Sequence, residues 1–450
     1  MKREEEKKRP MHPERVILLS FLGVITVGTL LFMLPVMTRK EPLRFMEALF
    51  TATSSVCVTG LTLIDPAATL SAPGQILLMV LIEIGGISMV TFAPFFIFAL
   101  QKRSGFRSIR LAQEYTNLDL FSQVKPLVRT IIITTVLCQA LGAGVLCLHF
   151  VPRFGLKGVW MSAFTAVSAY CNAGFDIFGA NAPFTSMTGF NCEPLVMGAV
   201  MALIVTGGLG FYVFYDLLTY RKNHHITLHT KTVAVFTLAL ILFGFCAVLG
   251  FEWTNPKTLA PMPLSQKLTA ALFQSVTART AGFASVNIGE MQDVTKLFML
   301  ILMFIGAGSG STGGGIKVTT FAVLVMTVVS VLRGHEDTVI FGRRVEHKTV
   351  AKSLSVAALG LLAVLIVSSV IVLETPGMRG IDVLFEAVSA FSTAGLSTGV
   401  TASCGVKGLL SLILAMFFGR VGPVCFIIAL GNRDSKADGR VLPEGRIMVG

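Results

Sequence analysis

The sequence predicts an all-α integral membrane protein. Four repeats, each an outer helix (M1), a pore helix and a second helix (M2), stand in a pseudo-fourfold arrangement around one pore, with eight full transmembrane helices. Three observations predict this. The 450 residues are 53% hydrophobic and only 14% charged, where a soluble domain carries about 25% charged residues. A short pattern then occurs four times, and each copy lies between two long apolar spans. Its copies read Phe50-Thr-Ala-Thr-Ser-Ser-Val-Cys-Val-Thr-Gly60, Phe164-Thr-Ala-Val-Ser-Ala-Tyr-Cys-Asn-Ala-Gly174, Phe273-Gln-Ser-Val-Thr-Ala-Arg-Thr-Ala-Gly282 and Phe385-Glu-Ala-Val-Ser-Ala-Phe-Ser-Thr-Ala-Gly395. The phenylalanine-to-glycine spacing is 10, 10, 9 and 10 residues, and Leu61, Phe175, Phe283 and Leu396 follow the glycines. Recurrence of one unit at a near-constant period points to equivalent walls around an axis.

The chain begins with a charged stretch, Lys2 to Arg9, before an apolar span from Val16 to Val36. That span exceeds a signal-peptide core of roughly 7–15 residues, and no small-x-small site follows it. It is read as the retained outer helix of repeat 1. The short helix near 43–56 and the second span near 75–100 complete that repeat, 16–100. Repeat 2, 101–219, has segments near 127–150, 157–170 and 194–218. Repeat 3, 220–332, has 231–251, 265–278 and 294–332. Repeat 4, 333–431, has 350–373, 380–391 and 407–430. Residues 1–15 and 432–450 are expected to be cytoplasmic ends. A crossing helix needs about 20 residues. The short segments reach only about 20 Å at 1.5 Å per residue, so they enter and leave on one side.

Of the 37 lysines and arginines, 24 fall in the two ends and the even-side connections and 10 on the opposite side. By the positive-inside rule both termini are cytoplasmic and the glycine motifs enter from outside. The net charge of +12 is spread between spans rather than gathered on one domain, which argues against nucleic acid as a partner. Eight cysteines show no metal-ligand spacing. Cys138, Cys147, Cys246 and Cys425 lie in apolar spans, and a Cys192–Cys404 disulfide in the outer loops has no support in the pattern.

Irregular backbone at membrane depth survives only where it is buried or lines water. A re-entrant helix entering from outside aims its C-terminal dipole end at the membrane centre, which favours a cation there. Carbonyls beyond it replace part of an ion's hydration shell, and glycine permits the backbone angles that turn them inward. No ring of Asp or Glu accompanies them, so a monovalent ion fits better than a divalent one. The predicted filter residues are Val58, Thr59, Gly60, Asn172, Ala173, Gly174, Thr280, Ala281, Gly282, Thr393, Ala394 and Gly395.

On these motifs the chain resembles the Trk/Ktr/HKT potassium transporters, in particular a KtrB-type subunit. Val58-Thr59-Gly60-Leu61, Asn172-Ala173-Gly174-Phe175, Arg279-Thr280-Ala281-Gly282-Phe283 and Thr393-Ala394-Gly395-Leu396 carry the likeness, with the tail from Pro443-Glu444-Gly445 to Gly450. The resemblance implies uptake of potassium, because glycine stands in all four filters, and serine in the first would imply sodium. It also implies a plasma-membrane homodimer in lipid, a KtrA-like cytoplasmic ring that binds ATP/ADP or NAD(H), and sodium as an activator. An ion-coupled secondary transporter is the alternative, but it would show two related halves with discontinuous helices rather than four quarters. No catalytic constellation suggests an enzyme.

The second spans carry their own glycines: Gly85-Gly86, Gly207-Gly208, Gly306-Ala-Gly308 and Gly419-Arg-Val-Gly422. In the third span Gly306, Gly308, Gly310, Gly313, Gly314 and Gly315 crowd into ten residues. At about 1 kcal/mol per glycine relative to alanine the helix should break there. Gly308-x-Gly310-x-x-Gly313 formally matches a dinucleotide fingerprint but lacks the strand and βαβ unit, so no nucleotide is expected in this chain. A flexible intramembrane gate loop, 306–316, is expected instead, and the resemblance implies a gate at this place. Arg420 is costly inside a membrane. It is read either as a barrier facing the path or as paired with a carboxylate or loop carbonyl. Lys317 is a weaker gate candidate that could snorkel to the cytoplasm. Arg279 is read as a brace with Glu386 or Glu47 as conceivable partners. Glu83 and Asp216 are read as packing and capping groups, and His224, His225 and His229 as members of a solvated loop.

Overall fold

In a computed structural model of the chain, residues 13–100, 124–179, 185–423 and 425–426 are described. The expected tail 432–450, nearly all of segment 1–15 and most of the connection 101–129 lie outside these residues. Repeat 1 forms α1 (Pro13–Phe32), α2 (Phe45–Val56), the one-turn α3 (Pro66–Thr69) and α4 (Ala72–Leu100). Repeat 2 forms α5 (Val124–Phe154), α6 (Leu156–Tyr170), α7 (Pro194–Leu209) and α8 (Phe211–Asn223). Repeat 3 forms α9 (Leu228–Glu252), α10 (Leu264–Thr277), α11 (Asp293–Phe304) and α12 (Val318–Leu332). A two-residue hairpin, β1 (Val339–Ile340) with β2 (Arg343–Arg344), leads to repeat 4. That repeat forms α13 (His347–Glu374), α14 (Gly380–Ser392), α15 (Val400–Ser403) and α16 (Val406–Val421).

The outer helices α1, α5, α9 and α13 each contain a stretch long and apolar enough to cross a membrane. Their exposed residues include Leu30, Leu148, Leu238 and Leu365, the pattern of a helix that faces lipid with one side and protein with the other. The short helices α2, α6, α10 and α14 have 12, 15, 14 and 13 residues, too few to cross. Their last turns are buried on every side: Phe50 to Val56 in α2 and Phe385 to Ser392 in α14 leave no exposed residue. They form the centre of the molecule, wrapped by the other helices.

The repeats follow one another around that centre. Each second helix packs on the short helix of the next repeat: α4 on α6, α7 on α10, α11 on α14, and α16 on α2. The last pair closes the circle. Close approach needs glycine. A Cβ at Gly85, Gly207 or Gly419 would overlap a carbonyl oxygen in the last turn of the short helix in its own repeat, that of Val56, Tyr170 or Phe391. The second glycine repeat is thus a set of small-residue packing contacts.

The second spans differ from the expectation of continuous helices. In repeat 2 the predicted span 194–218 is two helices bent by 87° at Gly210. Gly210 has φ 97° and ψ 143°, which only glycine adopts readily. Repeat 4 breaks in the same way at Gly422, with φ 91° and ψ 136°. In both, the break falls three residues after the packed glycine. In repeat 3 the helix stops at Phe304 and resumes at Val318, as the glycine content predicts.

Several charged residues settle into structural roles. Asp216 accepts hydrogen bonds from Thr227 N and Oγ1, both 2.9 Å, and so joins α8 to the start of α9. His224 and His225 are exposed. His229 departs from the solvated-loop reading, because it lies in α9 with its ring 5.3 Å from that of Tyr212, edge on. Lys296 has a fully buried side chain and donates to Asp382 at 2.7 Å and to the Gly289 carbonyl at 2.9 Å, tying α11 to α14. None of the eight cysteines is in a disulfide, so Cys192 and Cys404 are not joined.

Candidate functional site

Each short helix ends in the same unusual turn. Val58, Asn172, Thr280 and Thr393 have φ of 56°, 58°, 65° and 51°. All four stand two residues before their glycine. Left-handed backbone is uncommon outside glycine and costs on the order of 1–3 kcal/mol where it persists, so four copies in register mark one built feature. The turn reverses the chain off the helix end, and hydrogen bonds to the helix hold it. Thr59, Ala173 and Ala394 donate through their backbone N to the carbonyls of Ser54, Ser168 and Ser389, each at 2.8 Å and five residues back. In repeat 3, Ala281 N instead reaches Thr277 O, four residues back, at 3.0 Å. The one-residue deficit of that repeat is absorbed in the turn, and the glycine keeps its place.

The glycines themselves meet. A Cβ at Gly60 would overlap the Ala173 carbonyl oxygen of repeat 2. One at Gly174 would lie 2.6 Å from Gly282 Cα and 2.7 Å from Ala281 O. One at Gly282 would lie 3.1 Å from Ala394 O, and one at Gly395 would overlap Thr59 O of repeat 1. The contacts run 60 to 174 to 282 to 395 and back to 60. Gly60, Gly174, Gly282 and Gly395, with Thr59, Ala173, Ala281 and Ala394 before them, therefore meet in one closed ring that sets a backbone oxygen of the next repeat beside each glycine, and Val58, Asn172, Thr280 and Thr393 form the turns leading into it. The glycine φ values, 93°, 71°, 84° and 79°, add strain to any side chain placed there.

Behind the ring, hydroxyls of the short helices strap the strands in place. Ser54 Oγ accepts from Gly60 N at 3.1 Å, while Ser168 Oγ and Thr277 Oγ1 donate to Phe175 O and Phe283 O at 2.6 Å. In repeat 4, Glu386 takes over: it accepts from Ser397 Oγ at 2.8 Å, Thr398 N at 3.2 Å and Thr401 N and Oγ1. Sequence reasoning passed over these hydroxyls, although Ser54, Ser168, Thr277 and Ser389 recur at one position of the motif. Leu61, Phe175, Phe283 and Leu396 are buried anchors after the glycines.

The loop 306–316 lies against the turns that lead into this ring. A Cβ at Gly313 would overlap Thr280 Oγ1, and one at Gly314 would overlap Thr393 Oγ1. The loop is hydrogen-bonded to repeat 2 through Gly308 N to Gly208 O at 2.8 Å, Thr312 N to Gly207 O at 3.3 Å and Thr312 Oγ1 to Tyr170 O at 3.1 Å. Phe211 N, the first donor after the bend at Gly210, binds Gly310 O at 2.9 Å.

The three cationic residues read separately from the sequence all hold this loop. Arg279 donates to Gly306 O at 3.2 Å and to Thr237 O at 3.1 Å. Its partners are carbonyls, not the Glu386 or Glu47 expected; Glu47 instead accepts from Arg44 N at 2.9 Å at the start of α2. Lys317 folds back on Gly313 O at 2.6 Å and Gly314 O at 3.5 Å rather than snorkelling away. Arg420 is buried and donates to Thr312 O of the loop and to Gly85 O of repeat 1. Of its two sequence readings, the contacts match pairing with a loop carbonyl. Glu83, Gln139 and Cys171 make a neighbouring cluster, with Gln139 Nε2 and Cys171 Sγ donating to Glu83 Oε2 at 2.8 and 3.3 Å. Among the described residues no group of three or more His, Cys, Asp or Glu gathers as a metal site.

The chain matches the family described as TrkH, cation transport protein, over residues 3–433. Among curated proteins it is 36% identical over 441 residues to the Ktr system potassium uptake protein B of Bacillus subtilis, covering 97% of each chain. It is 37% identical over 457 residues to the potassium/sodium uptake protein NtpJ of Enterococcus hirae, covering 100% of this chain and 99% of that one. It is 38% identical over 423 residues to the Ktr system potassium uptake protein B of Vibrio alginolyticus, covering 93% and 91%. Among solved structures, the potassium transporter TrkH from Vibrio parahaemolyticus aligns with a TM-score of 0.73 at 17% identity, covering 96% of this chain and 87% of that chain. That likeness establishes the fold, a multi-span membrane protein of all-α repeats.

Proposed function

Because the chain belongs to the TrkH cation transport family, among the Trk/Ktr/HKT potassium transporters, we propose that it carries potassium into the cell across the plasma membrane, passively and through the glycine ring. The closed contact of Gly60, Gly174, Gly282 and Gly395 is the observation that carries this reading. Backbone oxygens stand between the glycines, the short helices aim their negative dipole ends at the same centre, and among the described residues no carboxylate ring offers a divalent site. Desolvated potassium is held by such oxygens.

The loop 306–316 acts as the gate. It lies against the turns that lead into the ring, and its carbonyls are gripped by Arg279, Lys317 and Arg420, which supports control by release of those contacts. Arg420 then serves the gate as an anchor, and its charge adds a barrier to cations. The accessory subunit of a Ktr system is, in this reading, a cytoplasmic KtrA-like ring that binds ATP/ADP or NAD(H), acting on a homodimer of this chain, with sodium as an activator. The repeat limits 16–100, 101–219, 220–332 and 333–431 carry over as the functional quarters.

The test is growth. In a strain without its own potassium uptake, this chain with a KtrA-like partner should restore growth at low potassium, and excess sodium should not displace the requirement. Failure to restore growth with the protein present in the membrane would sink the reading. Growth set by sodium supply instead would point to the mixed cargo named for the Enterococcus hirae relative.

A further inference from the structure

Resting on the glycine ring as a cation path, we infer that the side-chain oxygens of Asn172, Thr280 and Thr393 form a second cation-coordinating level next to it. These residues share the left-handed position two before the glycine. Thr280 Oγ1 and Thr393 Oγ1 are in fully buried residues and have no hydrogen-bond partner. A buried hydroxyl left unpaired is costly, and these two, at the same position of their motifs and facing the loop, are placed to be satisfied by a passing cation. Asn172 completes the set. Its amide nitrogen is assigned to the carbonyls of Ala169 and Ile204, at 3.1 and 3.2 Å. Its oxygen then takes the outer place, 3.5 Å from where a Gly313 Cβ would stand. Thr280 Oγ1 crowds that same point, and Thr393 Oγ1 crowds the next loop residue, Gly314.

Two neutral oxygens thus face Gly313 and a third faces the adjoining Gly314. Hydroxyl and amide oxygens replace water around a monovalent cation as backbone carbonyls do. The fourth wall is unlike the rest, because repeat 1 offers Val58, fully buried and apolar. The level is three-sided and binds more weakly than a complete ring would. The loop covers it, so a cation at this level passes on only when Gly313 and Gly314 withdraw.

The experiment is the concentration dependence of rubidium influx into proteoliposomes holding the full chain. Thr280→Val and Thr393→Val, close in size, should each raise the half-saturating rubidium concentration by about three- to tenfold, while Thr280→Ser and Thr393→Ser should stay near the parent. Val58→Thr, which supplies the missing oxygen, should lower it. A structural role for the threonines would not produce that gain. Unchanged half-saturation in Val58→Thr and in both valine variants would overturn the inference while leaving the glycine ring in place. Equal effects of serine and valine would also overturn it. No rubidium influx through the parent protein would instead overturn the transport reading itself.

Discussion

Gly395→Ala is expected to abolish potassium uptake, with a loss of roughly 100-fold or more, while the protein still reaches the membrane folded. The added Cβ would overlap the Thr59 carbonyl oxygen across the repeat 4 to repeat 1 junction. Gly395 also has φ 79°, where alanine is strained. The ring must then open by about 1 Å or more or turn a carbonyl away, and positional errors of about 1 Å cost a site about 100-fold. Uptake per protein, beside the unfolding temperature in detergent, separates lost transport from lost fold. Gly377→Ala is the control: it too has positive φ, 102°, but a Cβ there meets nothing. Uptake retained in Gly395→Ala would remove the ring from the path.

Freeing the loop should have the opposite sign. Deletion of Gly308 to Gly314 is expected to raise passive potassium flux, and Arg420→Ala to raise it about tenfold or more. Hydrogen bonds to a charged group contribute about 1.5–3 kcal/mol each. Arg420 donates one to Thr312 O and another to Gly85 O, so its loss shifts the loop well towards its open state. A shift of 1.4 kcal/mol is already tenfold in population. The measurement is rubidium influx normalised to protein, without the regulatory partner. Unchanged or lower flux at normal expression would mean that the loop does not limit passage.

Much of this was legible because the repeats constrain one another. One glycine after one short helix says little, but Gly60, Gly174, Gly282 and Gly395 in a common frame predicted a shared centre, and the structure brings them into contact. The break at 306–316 was readable from composition, since glycine destabilises helix wherever it stands. Other features were not readable, because local sequence does not carry them. The bends at Gly210 and Gly422 look like single glycines in apolar runs, and only the packed glycine three residues earlier sets them apart. The partners of Arg279 and Arg420 are backbone carbonyls, which every residue has, so no residue type announces them. A search for opposite charge therefore pointed Arg279 towards Glu386, which is already occupied by Ser397, Thr398 and Thr401. The common role of Arg279, Lys317 and Arg420 emerged only when repeats 3 and 4 met on one loop.

The most direct test of the account is the reversal potential of the purified full-length chain in planar bilayers or proteoliposomes under opposed potassium and sodium gradients. The account predicts that it follows the potassium gradient and moves little when sodium is changed. Accumulation of potassium against its own gradient, driven by sodium, would contradict a passive path and favour alternating access.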